Sequence, residues 1–227
     1  MKGACLVLED GSVFHGVSCG YPSSTSGEVV FNTGMVGYPE ALTDPSYKGQ
    51  ILVFTYPLIG NYGIPPQSNR EGVQEFFESS SIHVQGVGMS SHSSYFSHWN
   101  AADSLADWLW RNKIPGISGI DTRKLTKKIR EKGVMLGKII VDGNDIDWYN
   151  PDIDNLVAKV SADEVKTFGQ GSFKIVAVDC GMKNNILRLL LKLDATIKVV
   201  PWDYDIKGME YDGLFVSNGP GNPKLCT

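Results

Sequence analysis

Over the first third of the chain, apolar residues alternate or gather in short runs, the pattern of half-buried strands. Residues 4–8 and 12–17 flank Asp10-Gly11. An Asp-Gly step between two such runs predicts a two-residue hairpin, because glycine accepts the positive φ that the turn requires. Further strands are expected at 28–32 and 50–55, with loops rich in glycine and proline between them. The period then lengthens. Leu105, Trp108 and Leu109 share one stripe of a helix at about 103–111. A second helix is expected over 122–132, with Leu125 and Ile129 on its buried face. Asp121 or Thr122 is its expected cap and Gly133 its stop. Residues 137–141 read as a strand again.

From about 150 to 171 the pattern loosens into small and polar residues, ending in Gly169-Gln170-Gly171. Beyond it, 174–178 is a continuous apolar run, as expected of a parallel strand covered on both faces. A strongly apolar helix follows at 184–193, with Asn184 or Asn185 as its cap, and then two more apolar runs at 196–200 and 213–217. Strand, helix, strand and strand on short connections open a doubly wound α/β domain. Such sheets usually hold about five strands, and three are legible here, so the domain reads as unfinished. The chain is therefore expected to be α/β, with one mixed β/α domain at 1–150, a linker at 151–172 and the start of a second domain at 173–227.

Composition narrows the classes. The 227 residues are 42% apolar and 20% charged, with a net charge of −4, an ordinary balance for a globular protein. No apolar stretch approaches the roughly 20 residues of a membrane span, and no leader is legible at the N-terminus. A cytoplasmic address with no membrane partner is expected. Lys124, Lys127, Lys128 and Arg130 read as the solvated side of a helix rather than the broad basic footprint of a nucleic-acid binder. The four cysteines and four histidines are scattered without a metal-ligand spacing, so no metal site is expected.

Three loops could carry chemistry. Ser217-Asn218-Gly219-Pro220-Gly221-Asn222-Pro223 follows the last apolar run, at the carboxyl end of a strand, where open α/β sheets bind ligands. Gly219 or Gly221 could point a main-chain N–H at a developing oxyanion, which Pro220 cannot. Gly-Pro-Gly is also an ordinary tight turn. Asp179-Cys180-Gly181-Met182-Lys183 ends the first strand of the same domain and puts Lys183 at the same sheet edge, or is simply a strand–helix turn. Thr43-Asp44-Pro45-Ser46 initiates a turn for backbone reasons alone. Cys180 reads as a structural thiol, and Cys226 has neither an elbow nor a histidine near it. No histidine follows His98. A Gly-x-Gly-x-x-Gly after the first strand of the second domain is missing, which argues against an oxidoreductase.

Together the stretches Leu8-Glu9-Asp10-Gly11, Gly27-Glu28-Val29-Val30-Phe31-Asn32-Thr33-Gly34, Gly37-Tyr38-Pro39-Glu40 and Leu42-Thr43-Asp44-Pro45-Ser46-Tyr47 resemble the small subunit of carbamoyl-phosphate synthetase. Tyr56-Pro57-Leu58-Ile59-Gly60-Asn61-Tyr62-Gly63 and Asp121-Thr122-Arg123-Lys124-Leu125-Thr126 extend the likeness, and the 217–223 loop resembles the first active-site loop of class I glutamine amidotransferases. Val200-Pro201-Trp202-Asp203 and Glu210-Tyr211-Asp212-Gly213 are similar to the animal multifunctional pyrimidine-synthesis proteins.

The resemblance implies a small-subunit N-terminal domain followed by the first part of a flavodoxin-like amidotransferase domain. It implies a glutaminase unit that feeds ammonia to a synthetase portion, as a separate subunit or a fused domain, for carbamoyl phosphate in pyrimidine or arginine synthesis. Ser46, Gly219 and Gly221 would contact bound L-glutamine, with Lys183 beside them. ATP and magnesium would bind the synthetase portion, and no cofactor is expected in this chain. The family's nucleophilic cysteine, in Gly-Ile-Cys-x-Gly-His-Gln, and its His and Glu partners would lie past Thr227, so the chain alone is expected to be inactive. A non-catalytic docking or regulatory module of an ammonia-dependent synthetase is the alternative. If glutamine is shared, the Ser46 hydroxyl and the 219–221 main chain should face one interdomain cleft within about 10 Å, a glutamine length plus a contact at each end.

Overall fold

In the computed structural model, which describes residues 2–226, the first two strands are β1 (Gly3–Leu8) and β2 (Val13–Gly20). They pair antiparallel with Val7 opposite Val13. The hairpin is one residue longer than the Asp-Gly signal suggests. Leu8 N–H donates to Ser12 O at 2.9 Å, and Gly11, at φ 83°, donates to Leu8 O at 2.9 Å. Three residues therefore turn the chain, with glycine in the left-handed position that closes such loops.

Next come β3 (Thr25–Asn32), α1 (Tyr38–Leu42), β4 (Gln50–Phe54) and a small ladder of β5 (Asn69–Arg70) with β6 (Val73–Gln74). They are followed by β7 (Gly86–Met89), α2 (Leu105–Arg111), β8 (Pro115–Ser118), α3 (Thr122–Lys132) and β9 (Met135–Val141). Seven of these strands close a barrel in the order β1-β2-β8-β7-β4-β3-β9. Closure leaves no free sheet edge. Leu6, Leu8, Val29, Ile51, Val53 and Ile139 fill its core, each fully buried. Leu125 and Ile129 of α3 join that cluster, as their i, i+4 spacing requires. Asp121 caps α3 by accepting from Lys124 N–H at 2.9 Å, and Gly133 ends it.

The last third holds β10 (Lys166–Phe168), β11 (Phe173–Asp179), α4 (Asn184–Leu190), β12 (Ala195–Pro201) and β13 (Gly213–Val216). They form a sheet in the order β10-β12-β11-β13. The three expected strands run parallel, with β11 central between β12 and β13. A fourth, β10, pairs antiparallel with β12 from within the stretch expected to be loose. The cap of α4 differs from expectation: it is Lys183, which makes no side-chain cap bond. Asn184 instead donates its side-chain amide to Phe77 O, and Asn185 its backbone N–H to the Glu78 carboxylate.

The chain gathers into two compact units. One comprises the residues up to Leu42, Gly49–Pro66 and Ile82–Pro151; the other comprises Thr43–Lys48, Gln67–Ser81 and the residues from Asp152 onward. The second unit thus borrows two excursions from the first 150 residues. Among the described residues, no helix is long and apolar enough to cross a membrane.

Candidate functional site

The second unit brings three separate loops together. The first is a 3-10 turn, Pro45–Tyr47, capped by Asp44, whose Oδ1 accepts from Ser46 N–H at 2.9 Å. An aspartate before proline folds this turn locally, and it leaves the Ser46 side chain half-buried. Among the described residues the Ser46 hydroxyl donates to and accepts from no partner.

The second loop runs from the end of β11 into α4. Asp179 Oδ1 accepts from Gly181 N–H at 2.8 Å and Met182 N–H at 2.6 Å, and Oδ2 accepts from Ala162 N–H at 2.9 Å. A carboxylate at a strand end followed by glycine is a local turn signal, and here it holds the loop that presents Lys183. The Lys183 ammonium lies 3.3 Å from Asp44 Oδ2, which joins the second loop to the first.

The third loop follows β13. Ser217 is buried, and its hydroxyl accepts from Cys180 N–H at 2.9 Å and donates to Asn218 O at 2.9 Å. The chain behind Gly219 runs so close to β11 that a Cβ there would meet Cys180 O at 2.0 Å. Only glycine fits. Gly221 has φ 73°, a left-handed value. Both glycines are exposed, and neither N–H donates to a partner among the described residues.

A common point shows how near these loops come. A Cβ on Gly181 would lie 3.2 Å from Pro220 Cδ and 3.3 Å from Pro45 Cβ. The two prolines are therefore no further apart than the sum of those distances. Ser46 is the neighbour of one, and Gly219 and Gly221 flank the other. The Ser46 turn, which sequence position assigns to the first domain, belongs to the same compact unit as the other two loops.

Electrostatics argue against an activated thiol here. Burial raises the Cys180 pKa, and Asp179 and then Cys226 push it the same way. All four cysteines are free. Among the described residues no group of three or more His, Cys, Asp or Glu side chains could hold a metal ion.

One residue with no signal in the sequence pattern stands at the back of the site. Glu78 is 8% exposed and lies in an irregular segment, where periodicity says nothing about burial. Its N–H donates to Thr43 Oγ1 at 3.0 Å, and its carbonyl accepts from Asn184 N–H at 2.8 Å. Its carboxylate accepts from Asn185 N–H at 2.9 Å and Arg188 Nη2 at 3.0 Å.

Strand-end loops with unspent main-chain donors, beside three parallel strands, lie where sheets of the doubly wound class bind their ligands. Comparison with known proteins makes the class specific. Residues 176–227 match the class I glutamine amidotransferase family, and residues 6–139 match the family described as carbamoyl-phosphate synthase small chain, CPSase domain. The chain belongs to the carbamoyl-phosphate synthase small-chain family. It is 53% identical to the mitochondrial carbamoyl-phosphate synthase (ammonia) of Mus musculus, over 99% of this chain and 15% of that protein. It is 54% identical to the multifunctional protein CAD of Squalus acanthias, over 98% of this chain and 10% of that one. Multifunctional protein pyr1-3 of Dictyostelium discoideum is 47% identical over 99% of this chain and 11% of its own length. The chain thus spans only about a tenth to a seventh of the length of these relatives.

Proposed function

We propose that this chain is the glutamine-binding part of a glutaminase unit that supplies ammonia to a carbamoyl-phosphate synthetase. The observation that carries the reading is the convergence of the Ser46 turn, the Lys183 loop and the Gly219–Gly221 loop, with the Ser46 hydroxyl and two main-chain N–H groups unspent. Ser46 would receive the amino-acid end of L-glutamine. The glycine N–H groups would face the side-chain carbonyl, where negative charge develops when a nucleophile attacks the amide. Lys183, held by Asp44, would keep the first two loops in register and add positive charge at the rim.

No Gly-x-Cys-x-Gly-His elbow occurs among the 227 residues, and burial holds the Cys180 thiol in its protonated form. Thioester formation needs a thiolate. On this reading the 227-residue chain alone releases no ammonia from glutamine, and the full-length protein supplies the nucleophile. ATP and magnesium belong to the synthetase portion, the setting is cytoplasmic, and the product serves pyrimidine synthesis or arginine synthesis.

A second reading rests on the mouse relative, whose name states ammonia as its substrate. There the same loops would form a non-catalytic docking or regulatory module. The deciding experiment is carbamoyl phosphate synthesis by the full-length protein with glutamine or ammonium chloride as nitrogen source. Glutamine support that is lost in Gly219→Ala, with ammonia support intact, is the expected result. Support by ammonia alone in the wild type would overturn the proposal.

A further inference from the structure

Glu78 uses its backbone N–H, its backbone carbonyl and both carboxylate oxygens, and every partner lies in a segment that carries a site loop. Through Thr43 Oγ1 it holds the residue that precedes Asp44-Pro45-Ser46. Ser79 Oγ doubles that link by donating to Thr43 O at 2.7 Å. Through Asn184 and Asn185 it holds the first residues of α4, directly after Lys183. Arg188, one turn further along α4, completes the frame. Its Nη1 donates to Gln74 O at 2.5 Å and to Phe77 O at 3.2 Å, while Nη2 takes the Glu78 carboxylate. Asn184 Nδ2 also donates to Phe77 O, at 3.0 Å.

A merely structural residue needs no such arrangement. An apolar side chain in this place would bury as much surface without desolvating a charge. What charge-assisted bonds add is direction: the guanidinium divides its donors between the Glu78 carboxylate and two backbone carbonyls and so fixes their relative placement. The Ser46 turn and the Lys183 loop have their own direct link, an ion pair at 3.3 Å whose lysine is partly exposed, and such a pair holds a geometry only weakly. Glu78 supplies the buried, rigid side of the frame.

We infer that Glu78 is a positioning residue for the glutamine site, setting the spacing between the Ser46 hydroxyl and the Lys183 loop. The inference rests on the reading of that site as a glutamine site. Glu78 touches no substrate and acts through Thr43 on one side and α4 on the other. Its loss therefore weakens substrate capture more than it slows the chemical step.

The test uses the full-length protein with Glu78→Gln and, separately, Thr43→Val, a change of similar shape that removes the hydroxyl to which the Glu78 N–H donates. Glutamine-supported and ammonia-supported synthesis are measured on the same preparations. Glu78→Gln is expected to raise the glutamine KM roughly ten-fold, the scale of a lost hydrogen bond to a charged group, with kcat within about two-fold. The ammonia-supported rate should not change. Thr43→Val should raise the glutamine KM in the same direction by a smaller factor, and it decides alone if Glu78→Gln yields no folded protein. Unchanged KM in folded Thr43→Val and Glu78→Gln, or equal losses with glutamine and ammonia, would overturn the inference and leave the glutamine site standing. A wild type that shows no saturation by glutamine would overturn the site reading, and this inference with it.

Discussion

At the scale of single residues, Gly219 is a position with almost no latitude. A methyl group there would stand 2.0 Å from a carbonyl oxygen of the neighbouring strand loop, and main chain cannot swing aside as a side-chain tip can. Gly219→Ala is expected to lower stability by about 2 kcal/mol, the usual cost of overpacking a tight site, read by thermal or urea unfolding. Cys19 is the other extreme residue. Burial pushes its thiol up to about 11, opposed in part by a hydrogen bond with Ser118. It should stay unlabelled by iodoacetamide at about pH 8, where an ordinary thiol reacts readily. Rapid labelling of Cys19 in the native protein would contradict that. The candidate site residues divide by how local their cause is. Ser46, Gly219 and Gly221 sit in turn motifs that a sequence declares, with proline and glycine as punctuation. Glu78 sits between Phe77 and three serines, and nothing within the segment says that its carboxylate meets a helix over 100 residues away.

Elements were legible where one period governs their whole length. In α3, Asp121, Leu125, Ile129 and Gly133 mark cap, buried face and stop in one turn-by-turn series. Asp121→Ala should cost about 1 kcal/mol, the usual value of such a cap, seen as a lower melting temperature. Strands β7 and β8 carry no signal, because Gly86-Val87-Gly88-Met89 and Pro115-Gly116-Ile117-Ser118 are short and interrupted by glycine or proline. Their pairing comes from the barrel, not from their own propensity. The β1–β2 hairpin shows how charge ties elements together. Lys128 of α3 lies 2.6 Å from Asp10 Oδ2, and that bond, with those to Ser12, lowers the carboxyl from 3.8 to about 2. A folded-state pKa below the unfolded value means that the pair stabilises at pH above the ordinary carboxylate range. The contribution is lost as pH falls through the folded value. Asp10→Asn should therefore show a shallower loss of unfolding free energy between about pH 4 and about pH 2 than the wild type, followed by circular dichroism.

For the whole molecule, the barrel has no open edge, whereas β13 ends its sheet with Leu214 and Val216 at 45% and 60% exposure. Apolar, unpaired edges invite association. The 227-residue chain is expected to self-associate with rising concentration, and Val216→Lys to reduce this, as measured by sedimentation velocity. A wild-type chain that stays monomeric at high concentration would count against it. The division into two units was the least legible feature of all. Composition marks a change of texture near residue 150, but the excursions Thr43–Lys48 and Gln67–Ser81 join the later residues through the Asp44–Lys183 ion pair and the bonds of Glu78 to α4. Sequence position carries no trace of them.

Those excursions bear on how the chain is made. On the ribosome the barrel strands emerge first, yet the Gln74–Glu78 segment must wait for α4 before its polar groups find their partners. Closing contacts over such separations is slow. A nascent chain paused before residue 184 thus carries the Glu78 carboxylate in water, without the helix groups that later pair with it. For the same reason a protease nick in the 152–165 stretch should not release two halves. The pieces would remain clasped under native conditions and part only in denaturant.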